Sequence, residues 1–347
     1  MDEIALLPQL VPHDASVEGL RAYCDDVTAE VGALLDRETP VSAIGRMVAA
    51  SHDALQARLL ADAEAALGPP PCAYAWLVLG SEGRCEQTLR TDQDNALIYA
   101  DCAPPEAEHY FAALAERVVG QLVACGFPRC PGDIMATNPQ WRQPLRAWQR
   151  YFQRWIMTPD AEALLRVAIF FDYRQVHGAL DAEAGLRPTV LRAHNELAFL
   201  AALAHAALRM PAPLGMFGRL ILDREAARRD LLDLKLRGSA LIVDLARLYA
   251  LSAGSSATNT LDRLRAAVDS GRLSAAGADD LAAAFEYINL LRLRYQQHLI
   301  ACGETPSNHI PIAWLSQQAR RELKDALAVI ARARRSVAFS FQTAWFD

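Results

Sequence analysis

The chain has 347 residues, of which 52% are apolar and 22% charged, and its formal net charge is −6. These values describe a well-cored globular protein of two or three domains, and the acidic balance argues against a nucleic-acid partner, which calls for a strong basic face. Seven irregularly spaced cysteines argue against a disulfide scaffold and fit a reducing, cytoplasmic setting.

Residues 1–68 read as helical, with Ala, Leu, Val and Met recurring at helical spacing from Val17 to Leu67 and a break near Thr39-Pro40. The first residues, Met1-Asp2-Glu3, lack the basic start of a secretory leader. Gly68-Pro69-Pro70-Pro71 punctuates the chain before a first strand over 74–79. Gly80-Ser81 turns the chain, and a short helix is predicted over 82–89. Asp92-Gln93-Asp94 then leads into a strand over 96–99. Two helices follow, over 104–125 and 141–156. The second carries Trp141, Trp148 and Trp155 at sevenfold spacing, an aromatic stripe suited to a core. Residues 167–171 read as a buried strand ending at Asp172. Residues 183–347 read as nearly all helix, with breaks at 210–215, 253–256, 269–271 and 303–308. No apolar run reaches the ~18 residues of a membrane span; residues 196–209 come nearest and suit a buried helix.

The chemistry lies in residues 80–95. Residues i and i+2 of an extended strand face the same side, so Asp92 and Asp94 project together. Two parallel carboxylates repel unless a cation lies between them. Mg²⁺, or Mn²⁺ in its place, takes such oxygen ligands and fills its other positions with water and phosphate. Gly80 lets backbone approach a phosphate closely, and Ser81 adds a hydroxyl donor. Arg84 is placed to bind phosphate, with Glu86 as its partner. The spacing differs from a Walker loop, for which no Gly-x4-Gly-Lys-Ser/Thr string exists in this chain. Cys125-x4-Cys130 invites a metal reading, but no matching His/Cys pair follows, so these two and Cys85 read as ordinary thiols.

Gly80-Ser81 with Asp92-x-Asp94 resembles the signature of the DNA polymerase β-like nucleotidyltransferase superfamily. The longer string, Gly80-Ser81-Glu82-Gly83-Arg84 through Glu86-Gln87-Thr88-Leu89 to Thr91-Asp92-Gln93-Asp94-Asn95, resembles its DUF294-type branch. That branch is similar to the glutamine synthetase adenylyltransferase and PII uridylyltransferase group. The segments beginning at Cys130-Pro131-Gly132-Asp133 and at Phe170-Phe171-Asp172-Tyr173-Arg174 also look like this branch. Asp233-Leu234-Lys235-Leu236-Arg237-Gly238 resembles the start of its C-terminal substrate-binding domain.

The resemblance implies an α+β, mainly helical protein. A nucleotidyltransferase core with a small mixed sheet (69–182) would be flanked by an N-terminal helical segment (1–68) and a C-terminal helical bundle (183–347). It implies that Asp92 and Asp94 bind metal, that Gly80 and Ser81 cradle phosphate, and that a third carboxylate completes the site. Asp172 is the candidate for that carboxylate and Asp133, in a Pro-Gly-Asp turn, is its rival. Arg174, two residues after Asp172, would meet a phosphate, and Lys235 and Arg237 would reach the triphosphate or the second substrate. Asp244, amid apolar residues, reads as half of a structural ion pair with Arg237 or Arg247. The expected activity moves a nucleoside monophosphate from a nucleoside triphosphate, ATP or UTP, to an acceptor such as a protein side chain. The alternatives are a nucleotide-binding sensor without turnover and, more weakly, an RNA-end nucleotidyltransferase. An oligomer is compatible with the sequence.

Overall fold

The computed structural model describes residues 10–12, 16–89, 91–215, 218–222 and 230–341. The leader reading at residues 1–3 and the position of Arg90 fall outside them. The chain divides into two compact units, Met1–Arg154 with Arg166–Thr189, and Trp155–Leu165 with Val190–Asp347.

The first unit opens with two helices, α1 (Val17–Asp36) and α2 (Val41–Leu67). Ser16 caps α1 by accepting from the Gly19 amide at 3.2 Å. Pro40 stands immediately before α2 and Gly68, at φ +88°, ends it. The predicted break at Thr39-Pro40 is therefore where the chain turns. Ile44, Val48, Leu55 and Leu59 form the buried stripe of α2.

Strand β1 (Tyr74–Val78) is buried along its whole length, as its unbroken apolar run requires. One helical turn, α3 (Gly80–Gly83), separates it from β2 (Asn95–Tyr99). The two strands pair antiparallel from Tyr74 opposite Tyr99 to Val78 opposite Asn95. Helix α4 (Ala107–Ala124) buries Phe111, Leu114, Val118 and Leu122. Then come β3 (Arg142–Pro144), α5 (Leu145–Met157), α6 (Ala161–Phe170), β4 (Arg174–His177) and α7 (Ala182–Arg192). The sheet order is β3-β2-β1-β4, with β3 parallel to β2 and β4 antiparallel to β1. This is the expected small mixed sheet.

Three predicted elements differ. The helix over 82–89 does not form: α3 stops at Gly83, and Cys85 takes a left-handed φ of +58° that no helix can continue. Trp141 lies outside the helix assigned to it, in a 3-10 turn (Pro139–Trp141) ahead of β3, and α5 begins only at Leu145. Trp141 and Trp148 are nevertheless core residues, with Phe170 at ring distances of 4.4 and 5.4 Å. The apolar run 167–171 is not a strand: residues 167–170 end α6 and Phe171 begins the turn after it. That helix starts at Ala161, where Asp160 Oδ1 accepts from the Ala163 amide at 2.8 Å. A five-residue apolar run fits either element, and the N-terminal cap decided it.

In the second unit, α8 (Leu197–Arg209) precedes a short strand, β5 (Leu231–Asp233). Helices α9 (Ala240–Ser252), α10 (Thr260–Asp269) and α11 (Ala275–Ala301) follow, then β6 (His309–Pro311) and α12 (Gln317–Ser340). Asn259, Ser274 and Ser316 cap α10, α11 and α12. The antiparallel β5–β6 pair lies inside a region read as nearly all helix. Three-residue strands leave too little alternation to register in a sequence. The protein is thus α+β and mainly helical. No described helix is long and apolar enough to cross a membrane.

Candidate active site

β1 delivers the chain to Gly80, which sits at φ +55°, a left-handed conformation that glycine adopts at little cost. A Cβ added there would stand 3.4 Å from Asp94 Oδ2. The single turn of α3 closes through Gly83 N to Leu79 O and Arg84 N to Gly80 O, both 3.1 Å. Gly83 backs directly onto another segment: an added Cβ would lie 1.8 Å from the Asp172 carbonyl oxygen.

Asp92, Gln93 and Asp94 run just ahead of β2. Gln93 forms a parallel bridge with Arg129 and turns its amide inward, donating to Phe127 O at 3.1 Å. Alternation then sends Asp92 and Asp94 to the opposite side. There one carboxylate oxygen from each and the Cys130 sulfur lie within 4.8 Å of one another. The strand-alternation argument for the aspartate pair therefore agrees with the geometry, although β2 begins one residue after Asp94.

Cys130 was missed as a site residue. It comes from a segment 36 positions after Asp94 (130 − 94) that the backbone ties to β2. Asn95 N donates to Ile134 O at 3.1 Å, and Ala136 N donates to Asn95 Oδ1 at 2.8 Å. Burial and the adjacent Asp94 carboxylate, which accepts from the thiol, push the Cys130 thiol up to about 11. The sequence signals were its place at the head of the Cys130-Pro131-Gly132-Asp133 string and the Cys125-x4-Cys130 spacing, set aside because no matching His/Cys pair follows. Among the described residues this donor set, two carboxylates and a thiol, is the group able to hold a divalent cation.

Asp172 and Asp133 are not members of that group. Asp172 sits in the turn between α6 and β4, fully buried, and accepts from Arg84 Nη1 at 2.7 Å. Arg84 Nε also donates to Glu86 at 2.7 Å. Asp133, at φ +54°, occupies a turn in which Asn138 Nδ2 donates to its carboxylate at 2.9 Å. Arg174, on β4, is held by Asp53 of α2 and donates to Glu82 O at 3.2 Å. Both arginines read as phosphate ligands are thus engaged by carboxylates. Lys235 and Arg237 belong to the second unit, in a π-type turn whose Lys235 and Leu236 amides donate to Asp233 Oδ1, each at 2.9 Å. Asp244 pairs with Arg247 at 2.6 Å, the structural ion pair that its surroundings called for.

Behind the glycine turn lies a buried polar chain. Trp76 Nε1 donates to Gln56 Oε1 at 2.9 Å, and Gln56 Nε2 donates to Glu82 at 2.7 Å. His52 stands 3.8 Å from the same carboxyl. Burial, with Asp53 and Asp94 adding to it, pushes Glu82 up to about 8 against the pull of Arg174 and Gln56. Burial pushes His52 down to about 4. A carboxylic acid and a neutral imidazole therefore face each other at neutral pH. The folded state keeps a proton that the unfolded chain releases above 4.5. This contribution to stability is complete below 4.5 and is lost as pH rises through about 8. Glu82→Gln is neutral throughout, so the wild type should lose Tm relative to it as pH climbs through that window. A wild type that gains on the variant over the same range would contradict the assignment.

A mixed sheet that brings a glycine turn and two convergent aspartates together is the core of a nucleotidyltransferase, and the chain carries a domain of that class. Two family models match it: Putative nucleotidyltransferase DUF294 over residues 25–162, and Putative nucleotidyltransferase substrate binding domain over residues 197–341. The chain belongs to the DUF294 nucleotidyltransferase family. A comparison with curated proteins finds no match.

Proposed function

We propose that the protein is a divalent-metal-dependent enzyme that transfers a nucleoside monophosphate from ATP or UTP to an acceptor, with a protein side chain as the leading candidate. One observation carries this reading: the Asp92 and Asp94 carboxylates converge beside the left-handed Gly80 turn. Asp92 and Asp94 would hold Mg²⁺ or Mn²⁺, which supplies charge neutralisation at the triphosphate. Gly80 and Ser81 offer backbone and hydroxyl to the phosphates. An acceptor oxygen attacks the α-phosphorus, the bond to the β-phosphate oxygen breaks, and pyrophosphate leaves. The acceptor's proton passes to solvent. Arg84 and Arg174 act here as positioning residues, fixing the glycine turn through Asp172, Glu86 and Asp53. Lys235 and Arg237 are assigned to the second substrate, in keeping with the substrate-binding family of their unit.

The test is incubation with α-labelled ATP or UTP and Mg²⁺ in the presence of cell lysate. Label on a protein band, with pyrophosphate released and both lost in Asp92→Asn/Asp94→Asn, is the expected result. Label on RNA ends instead would replace the acceptor class. Tight nucleotide binding without pyrophosphate release would replace the enzyme by a sensor.

A further inference from the structure

We propose that Cys130 is the third protein ligand of the cation, making this a two-carboxylate, one-thiolate site that favours borderline ions such as Co²⁺ or Zn²⁺ over Mg²⁺. The proposal rests on the metal-dependent reading above and adds to it the identity of the third ligand and the class of ion.

Three observations carry it. The first is convergence: the Cys130 sulfur lies within 4.8 Å of an oxygen from both aspartates. The second is direction. Gln93 and Arg129 are bridge partners in a parallel pairing, so their side chains share a side. Gln93 turns to the core, and Arg129 pairs with Glu116 at 3.0 Å. Asp94 and Cys130, one residue further along each segment, therefore both turn the other way. The third is fixation. Asp133 N donates to Cys130 O at 3.0 Å, and the bonds from Asn95 and to its side chain pin the following residues to β2. The sulfur is held by backbone rather than by a long side chain. The two carboxylates considered for this role are engaged elsewhere, Asp172 with Arg84 and Asp133 with Asn138.

The ligand chemistry follows from the atoms. Binding breaks the S–H bond, gives the sulfur lone pair to the cation and releases the proton to buffer. Thiolate is a soft donor, and Mg²⁺ is a hard ion that prefers oxygen and sheds water reluctantly. One sulfur in place of an oxygen shifts preference towards later first-row ions without closing the site to Mg²⁺.

Co²⁺ titration of the metal-free full-length protein tests this without any catalytic readout. The expected result is a near-ultraviolet thiolate-to-cobalt charge-transfer band that saturates with the calorimetric binding heat. Cys130→Ser should abolish the band and weaken Co²⁺ by at least roughly tenfold, the low end of the loss seen on removing even an outer contact. The same change should leave Mg²⁺ within about threefold, and Cys130→Asp should raise Mg²⁺ affinity relative to Co²⁺. A binding heat lost in Asp92→Asn/Asp94→Asn but accompanied by no band, or by a band that survives Cys130→Ser, overturns the thiolate ligand and leaves the metal-dependent reading intact. Absence of any binding heat overturns both.

Discussion

Asp92→Asn combined with Asp94→Asn is expected to reduce nucleotide transfer by about 10³-fold or more while leaving the fold intact. Asparagine keeps the shape of each side chain and removes both charges. The cation they would hold supplies several kcal/mol of charge stabilisation at a reacting phosphate, and ~4 kcal/mol corresponds to about 10³ in rate. The effect on folding has the opposite sign. Two carboxylates that converge without a cation repel, so the metal-free double variant should melt at the same temperature as the wild type or higher. Metal should then raise the wild-type Tm and not that of the variant, because only a site that binds the native state gains from added ligand. Thermal melts with and without Mn²⁺, run beside the transfer assay, measure both halves. A double variant that melts well below the metal-free wild type would show that the pair serves packing instead.

The second large effect falls on stability. Asp172→Ala removes the buried carboxylate that Arg84 contacts at 2.7 Å. Removing one partner of a buried ion pair costs about 3–5 kcal/mol, and the remaining Glu86 contact places this case near the lower end. Gly83→Ala strikes the same junction from the other side. Its Cβ would meet the Asp172 carbonyl at 1.8 Å and the Val78 carbonyl at 3.0 Å, and both are backbone atoms that cannot swing aside. Overpacking of that kind costs about 1–3 kcal/mol or more. Denaturant unfolding, followed through intrinsic tryptophan fluorescence, should show both losses. Co²⁺ affinity of the folded Asp172→Ala protein should remain close to that of the wild type. A selective loss of metal binding with unchanged stability would instead return Asp172 to the cation.

The parts of this site that were legible in the sequence are those that depend on neighbours along the chain. Gly80, Asp92 and Asp94 could be read because glycine permits φ +55° and because extended chain alternates with period two. What failed depended on events the local pattern does not carry. Cys85 at φ +58° ends α3 early, and nothing in a cysteine announces a left-handed conformation. The run at 167–171 was ambiguous in period and length, and Asp160 settled it from seven residues upstream (167 − 160). The partnership of Cys130 with the aspartates needs the Gln93–Arg129 bridge, a pairing between segments with no alternation of their own. The Glu86 partner of Arg84 lies two residues away and was legible, whereas the carboxylates of Asp172 and Asp53 that hold Arg84 and Arg174 come together with them only in three dimensions.

The order β3-β2-β1-β4 bears on how this protein can be dissected. The nucleotidyltransferase match ends at residue 162, ahead of both Asp172 and β4. A fragment cut there would turn β1, buried in all five residues and rich in bulky apolar side chains, into an open sheet edge. Such an edge is a template for pairing with other copies. It would also lose the carbonyl on which Gly83 rests. A fragment carried through Thr189, the end of the first compact unit, keeps the edge covered and is the one expected to stay in solution.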